Sequence, residues 1–337
     1  MIIQSRAPLR ISFAGGGTDI SPYCEKYGGC ALNATINKYA WATLKLRKDK
    51  EIHIESYDFK QNLVFKSIRE IRYDGKLDLI KAVVKNMPHI KTGINVFLRC
   101  DVIPKSGLGS SAAAFVAMIG AFNYLLGEER LGNYEIAELA YDLERNKLGN
   151  KGGRQDQYAS VFGGINFIEF EGNDFARVNP IRVLRDHVLE LEKNLVLVNI
   201  GEREKSGDII LDQVHRFKDK DMLIALKKTK ETAIEMKHTL ARGDLDHFGN
   251  LLHLAWQEKK KFSKMISNEY IDKLYDLALK HGALGGKITG AGGGGHMLFY
   301  CRPNHEQMVS QVLRDAGAKA VDFTFDMNGL ETWEVNK

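Results

Sequence analysis

No apolar run in the 337-residue chain is long enough to cross a bilayer as a helix. The longest strongly apolar run is Ala112 to Ile119, extended as a mixed pattern to Leu126, and a spanning helix needs roughly 20 such residues. Its small side chains suit a buried core helix. An apolar signal region is also missing: Met1-Ile2-Ile3-Gln4 meets charge at Arg6 and Arg10, so a cytoplasmic location is expected. Cysteine is scarce. Cys24, Cys30, Cys100 and Cys301 are scattered and never form Cys-x-x-Cys, so reduced, buried thiols are expected and no structural zinc site is visible. The net charge is only +5, and its bases are interleaved with acids, as in Lys218-Asp219-Lys220-Asp221. That is a solvated surface rather than a nucleic-acid stripe, so neither nucleic acid nor membrane is expected as a partner. Repeats of 20–50 residues and low-complexity tails are absent. Nothing in the sequence reports an oligomeric state.

What is present suggests two α+β domains. At about 150 residues per domain the length allows two, and the change in pattern near residues 175–195 divides the chain into 1–180 and 181–337. Residues 1–50 read as strand, Gly-rich turn, short helix and strand. Ile36–Arg47 alternates like a strand, with Ile52 and Ile54 beginning its expected hairpin partner. Leu77–Asn86 reads as a helix, Gly93–Cys100 as a strand, a long helix starts near Ser110, and another runs from Asn133 to Glu144. Gly163–Phe170 returns as a strand. Leu195–Ile200 is a strand ending at Gly201, long amphipathic helices fill Ser206–Lys280 with a break at Gly243, and His296–Tyr300 is a late strand.

Between a strand and a helix lies Pro104-Lys105-Ser106-Gly107-Leu108-Gly109-Ser110-Ser111-Ala112. Glycines let the backbone turn sharply and approach a ligand. The first helical N–H groups have no internal partner and the helix dipole favours an anion there, while Ser110 and Ser111 add hydroxyls. Taken alone, this is either a polyphosphate grip or a plain helix start capped by Ser110. No Walker A string, Gly-x-x-x-x-Gly-Lys-Ser/Thr, exists in the chain. Gly107, Gly109 and Ala112 do fit the dinucleotide pattern Gly-x-Gly-x-x-Ala. The acids about 20 residues on, Glu128 and Glu129, follow a helix rather than a second strand, which weakens a dehydrogenase reading without removing it.

Two further segments are unusual. Lys287-Ile288-Thr289-Gly290-Ala291-Gly292-Gly293-Gly294-Gly295 is too glycine-dense for a routine turn and implies close backbone approach or a flap. Near the N-terminus, Arg10 and Asp19 flank Ser12-Phe13-Ala14-Gly15-Gly16-Gly17-Thr18. Arginine supplies fixed donors for phosphate, and a carboxylate accepts sugar hydroxyls.

These three segments, in this order, resemble the GHMP kinase superfamily of galactokinase, homoserine, mevalonate and phosphomevalonate kinases. Within it, Gly15-Gly16-Gly17-Thr18-Asp19, Arg154-Gln155-Asp156-Gln157-Tyr158 and Gly201-x-Arg203-x-x-Ser206 are similar to the D-glycero-D-manno-heptose 7-phosphate kinases. Galactokinase would show an acid and a histidine where Gly16 and Gly17 stand. The resemblance implies an N-terminal mixed-sheet domain of the ribosomal-protein type, a ferredoxin-like C-terminal domain and a site in the cleft between them. It implies ATP and Mg²⁺ as cofactors, a small sugar phosphate as substrate, and transfer to its anomeric oxygen.

Residue by residue, the resemblance makes Asp156 the catalytic base and Arg10 the cation near the transferred phosphoryl. Pro104 to Ala112 become the ATP loop, and Ser111 and Glu144 the magnesium ligands. Gly16, Gly17, Thr18, Asp19, Arg203 and Gly292 fall to the substrate. Arg203, Lys205, Arg154 and Lys151 are the candidates for its distal phosphate, and His296 reads as a strand-start histidine. An L-fucose-type anomeric kinase and a non-catalytic sugar sensor on the same fold are the alternatives.

Overall fold

The computed structural model describes residues 1–87, 92–172, 175–201 and 206–335. Strand β1 (Ile2–Ala14) leads through a glycine-rich turn and helix α1 (Tyr23–Tyr27) into the 18-residue strand β2 (Gly29–Leu46). β1 and β2 pair antiparallel, with a register shift after Pro8, which cannot donate to the ladder. Next come β3 (Ile52–Ser56), β4 (Gln61–Phe65), helix α2 (Asp78–Asn86) and β5 (Ile94–Cys100). β3 is not the hairpin partner of β2. β5 takes that place, and β3 pairs parallel with β5 and antiparallel with β4. The parallel pair requires a long crossover, and the segment carrying α2 supplies it.

Helices α3 (Ser110–Tyr124), α4 (Asn133–Asp142) and α5 (Gln155–Phe162) follow. α3 is apolar around its whole circumference and is buried from Ala112 to Asn123, the core helix its composition requires. α4 stops before Glu144, which sits instead in a π-helical turn, Leu143–Lys147. β6 (Ile165–Glu171) pairs with the inner half of β2, and β7 (Phe175–Pro180) pairs with β6.

The second half contains α6 (Arg185–Asn194), β8 (Leu195–Asn199), α7 (Ser206–His215), α8 (Lys220–Arg242), α9 (Leu245–Lys260) and α10 (Glu269–Lys280). It ends with β9 (Ala283–Ile288), β10 (His296–Cys301), α11 (Glu306–Asp315) and β11 (Lys319–Ala320). Its sheet runs β11-β8-β10-β9, antiparallel throughout. Counted within this half, the order is 4-1-3-2, the ferredoxin-like arrangement. Gly243 ends α8 at a left-handed φ of 77°.

The division into 1–180 and 181–337 needs one correction. The final strand, β12 (Glu331–Glu334), leaves the second half and pairs with β1. Phe325 also bridges to Ile36. The outer edge of β1 would otherwise present unpaired backbone groups. The halves also share a core. Successive side chains of a strand point to opposite faces, so Leu195 and Leu197 of β8 join the large first core while Val196 and Val198 join the second. Among the described residues, no helix is long and apolar enough to cross a membrane.

Candidate active site

The loop before α3 is held from both sides. Arg10 N–H in β1 donates to the Leu108 carbonyl at 3.0 Å, and the fully buried Leu108 pins the loop to the core. The N-cap of α3 is Gly109 at φ 76°, not Ser110, and no side chain caps this helix end. Its first N–H groups are therefore free for an anion. Across the loop lies the late glycine cluster. A side-chain carbon at Gly290 would sit 2.8 Å from Gly107, and one at Gly295 would sit 2.4 Å from the Ser106 carbonyl. The glycines are there because two backbones touch. His296, at the start of β10, adds a bond from its Nδ1 to the Ser106 carbonyl at 2.7 Å. Burial lowers its pKa, so the neutral ring is favoured.

Arg10 is almost fully buried and points to the loop and to α5. Its Nη1 donates to the Gly107 carbonyl at 2.8 Å, and its Nε and Nη2 reach Asp156 Oδ1 at 2.8 and 2.7 Å. Asp156 lies in the first turn of α5. Glu144 is buried in the π-turn, where the Gln157 amide donates to its Oε2 at 2.7 Å and Arg145 lies 3.5 Å from the same oxygen. Asp19 accepts from Gly17 N–H at 2.9 Å and from Gln155 N–H and Nε2 at 3.2 and 3.3 Å. Burial raises its pKa, those backbone donors oppose the rise, and the charge of Asp156 adds to it.

One cavity of about 410 Å³ gathers these groups. Of the residues singled out from sequence, Arg10, Gly16, Gly17, Asp19, Lys105, Gly107, Gly109, Ser110, Ser111, Ala112, Glu144, Lys151 and Asp156 line it. Others do not. Pro104, Ser106 and Leu108 shape the loop from outside the cavity. Thr18 is fully buried, and its hydroxyl is spent on the Gly15 and Cys30 carbonyls and on the Cys30 N–H, bracing the turn instead of facing a sugar. Gly292 packs against Ile266. Arg154 stacks over Tyr141 and lies 3.9 Å from Glu138. Arg203 and Lys205 lie outside the described residues. Ser12, Arg145, Gln155 and Lys259 line the cavity and were missed. Ser12 was recoverable, since it stands two residues after Arg10 on one face of β1. Lys259, on α9, carries no local signal.

The match to known proteins covers both halves. Residues 78–164 match the model of the GHMP kinases N-terminal domain, and residues 236–319 match that of the GHMP kinases C-terminal domain. The chain is 38% identical, over 99% of each chain, to the D-glycero-alpha-D-manno-heptose 7-phosphate kinase of Campylobacter jejuni. It superposes with a TM-score of 0.83 and 34% identity, over 99% of its length and 100% of the other, on a crystal structure titled D-glycero-D-manno-heptose 1-phosphate kinase from Bacteriodes thetaiotaomicron. It is also 26% identical, over 98% of its own length but 38% of the other, to an L-fucokinase/L-fucose-1-P guanylyltransferase of Bacteroides fragilis. An uncapped helix-start loop, a half-buried Arg10–Asp156 pair beside it and a relative alike from end to end make this chain a member of the GHMP kinases.

Proposed function

We propose that this chain is an ATP-dependent kinase that phosphorylates D-glycero-D-manno-heptose 7-phosphate on its anomeric oxygen, giving the 1,7-bisphosphate. The observation that carries the reading is the placement of Asp156. It shares one guanidinium with the phosphate loop, since Arg10 grips both the Gly107 carbonyl and the Asp156 carboxylate. A base tied in this way to the phosphate grip is positioned for proton transfer at the hydroxyl that attacks the phosphoryl group.

In this reading the free N–H groups at the start of α3, with Ser110 and Ser111, cradle the ATP phosphates. Asp156 accepts the proton of the attacking hydroxyl. An anomeric hydroxyl is more acidic than an ordinary alcohol, so the demand on that carboxylate is modest. Arg10 fixes the carboxylate and places positive charge beside the reacting groups. Asp19 serves as a pre-oriented acceptor for sugar hydroxyls. Lys151 is the described candidate for the distal phosphate.

The residues present also fit Mg²⁺. Ser111 and Glu144 line the same cavity, and both contacts to Glu144 fall on Oε2, leaving Oε1 for a cation. Among the described residues no group of three His, Cys, Asp or Glu could hold a metal ion, so the phosphates of the nucleotide would complete the coordination. Bound there, the ion would neutralise charge on those phosphates.

The two heptose kinase names above differ in which phosphate is present before transfer. The test is a coupled ADP-release screen fed separately with heptose 7-phosphate, heptose 1-phosphate, mannose 6-phosphate, L-fucose, galactose and mevalonate. Heptose 7-phosphate is expected to give the highest kcat/KM. Turnover confined to heptose 1-phosphate or to fucose would replace the substrate while leaving the kinase reading in place.

A further inference from the structure

We infer that Ser12, Gly16 and Gln155 form a subsite that binds one sugar hydroxyl remote from the reacting one. The inference rests on the sugar-kinase reading above and adds a specificity determinant to it. Ser12 Oγ is buried and makes no hydrogen bond among the described residues, and Gln155 Oε1 is in the same condition. Both residues line the cavity. Buried polar atoms left unpaired cost stability, so their retention calls for a partner that arrives from the cavity. The fold uses the main chain of Ser12 rather than its hydroxyl: Lys287 Nζ donates to the Ser12 carbonyl at 2.7 Å. An alanine would hold the strand equally well.

Gly16 supplies an independent argument. Gly15 and Gly17 have φ of 86° and 102°, and side chains there would strike the Cys30 carbonyl at 2.2 Å and the Phe262 ring at 2.8 Å. Their glycines are demanded by the backbone. Gly16 has no such φ, and a side-chain carbon on it would meet only Gln155 Nε2 at 3.1 Å and Ser12 Oγ at 3.5 Å. A bare α-carbon at this position leaves the Gln155 amide and the Ser12 hydroxyl undisturbed, whereas a side-chain carbon would press on the amide. The Gln155 amide is fixed with its Nε2 toward Gly16, because that nitrogen donates to Asp19.

Spacing then says which hydroxyl is bound. Arg10 and Ser12 stand two residues apart in a regular stretch of β1, on the same face and about 6.6 Å from each other. Arg10 marks the reacting end through Asp156. Ser12 therefore stands about one ring-width along the strand from Arg10, where a hydroxyl on the far side of the pyranose or on its side arm would fall. That hydroxyl donates to Gln155 Oε1 and shares a bond with Ser12 Oγ. A deoxy sugar would leave both atoms unpaired, and sites of this kind reject such analogues strongly.

The test compares Ser12→Ala and Gly16→Ala with the parent protein, using the sugar it turns over fastest in the screen above. Loss of one neutral hydrogen bond predicts a rise of about three- to tenfold in the sugar KM of Ser12→Ala. The ATP KM should not move, and the melting temperature should be unchanged or higher, because an unpaired hydroxyl has been removed. Gly16→Ala presses on the Gln155 amide and is expected to raise the sugar KM by at least about tenfold. Unchanged sugar KM in both variants would overturn the subsite, as would a parallel rise in the ATP KM or a lower melting temperature in Ser12→Ala. A parent protein that prefers fucose refutes the heptose reading while the subsite is judged on fucose. Activity on mevalonate alone, or on nothing in the screen, overturns both.

Discussion

Asp19 and Asp156 lie near each other yet have opposite surroundings. Asp156 is met by a guanidinium at 2.7 Å, whereas Asp19 is buried with only N–H donors around it, and burial pushes its pKa up. The carboxylate tied to Arg10 is the one proposed as the base, and the donor-caged one is the one proposed to accept from sugar hydroxyls. Asp156→Asn is expected to keep ATP-dependent thermal stabilisation and to lose about 10²–10⁴-fold in kcat. Turnover near the parent level would remove Asp156 as the base. The sequence singled out Arg10 and Asp156 because each belongs to a short motif, and Glu144 through the family resemblance alone; all three line the cavity. Thr18 belongs to one too, but its role depends on Cys30, twelve residues on, whose backbone it binds at 2.9 Å. Spacing within a motif does not show whether a hydroxyl faces a ligand or a neighbouring strand.

The loop before α3 and the cluster before β10 were each visible as glycine-rich text. That they form one element was not, because the fact lies in their contact. β9 was hidden for a related reason. Gly285 and Gly286 make it read as a turn, yet side chains there would collide with the Gly249 carbonyl of α9 at 2.2 Å and with Phe299 at 2.3 Å. Close packing from both faces selects glycine against its poor strand propensity. His296 gives the contact a pH dependence. Its neutral ring satisfies the Ser106 carbonyl, and burial holds its pKa below the ordinary 6.5. The unfolded chain then takes up the proton first as pH falls, so this contribution is complete above about pH 6.5 and is lost below it. Melting temperatures with and without ATP are expected to fall between pH 7 and 5, with a shallower slope in His296→Gln. Equal slopes would exclude this histidine as a cause.

At the scale of the molecule, the change of pattern near residue 180 lies between β7 of one sheet and β8 of the other, yet β12 returns to the first sheet. The closing strand carries only four residues and no distinctive composition, and its partner is the first strand of the chain. Ending the chain after Gly329 removes the Arg6–Glu331 bond at 2.7 Å and the Leu330 side chain packed over Gly120. The melting temperature is expected to drop by roughly 5 °C or more in a calorimetric scan, although none of residues 330–335 lines the cavity. A similar separation in sequence governs the phosphate grip. Its loop and the glycines that seat on it are roughly 180 residues apart. At ribosomal rates that gap is about 10–40 s of synthesis. During that interval a nascent chain carries a complete loop motif but no backing for it. On the proposed reading, nucleotide would become a ligand only late in translation, acting on the finished protein rather than as a template for its first half.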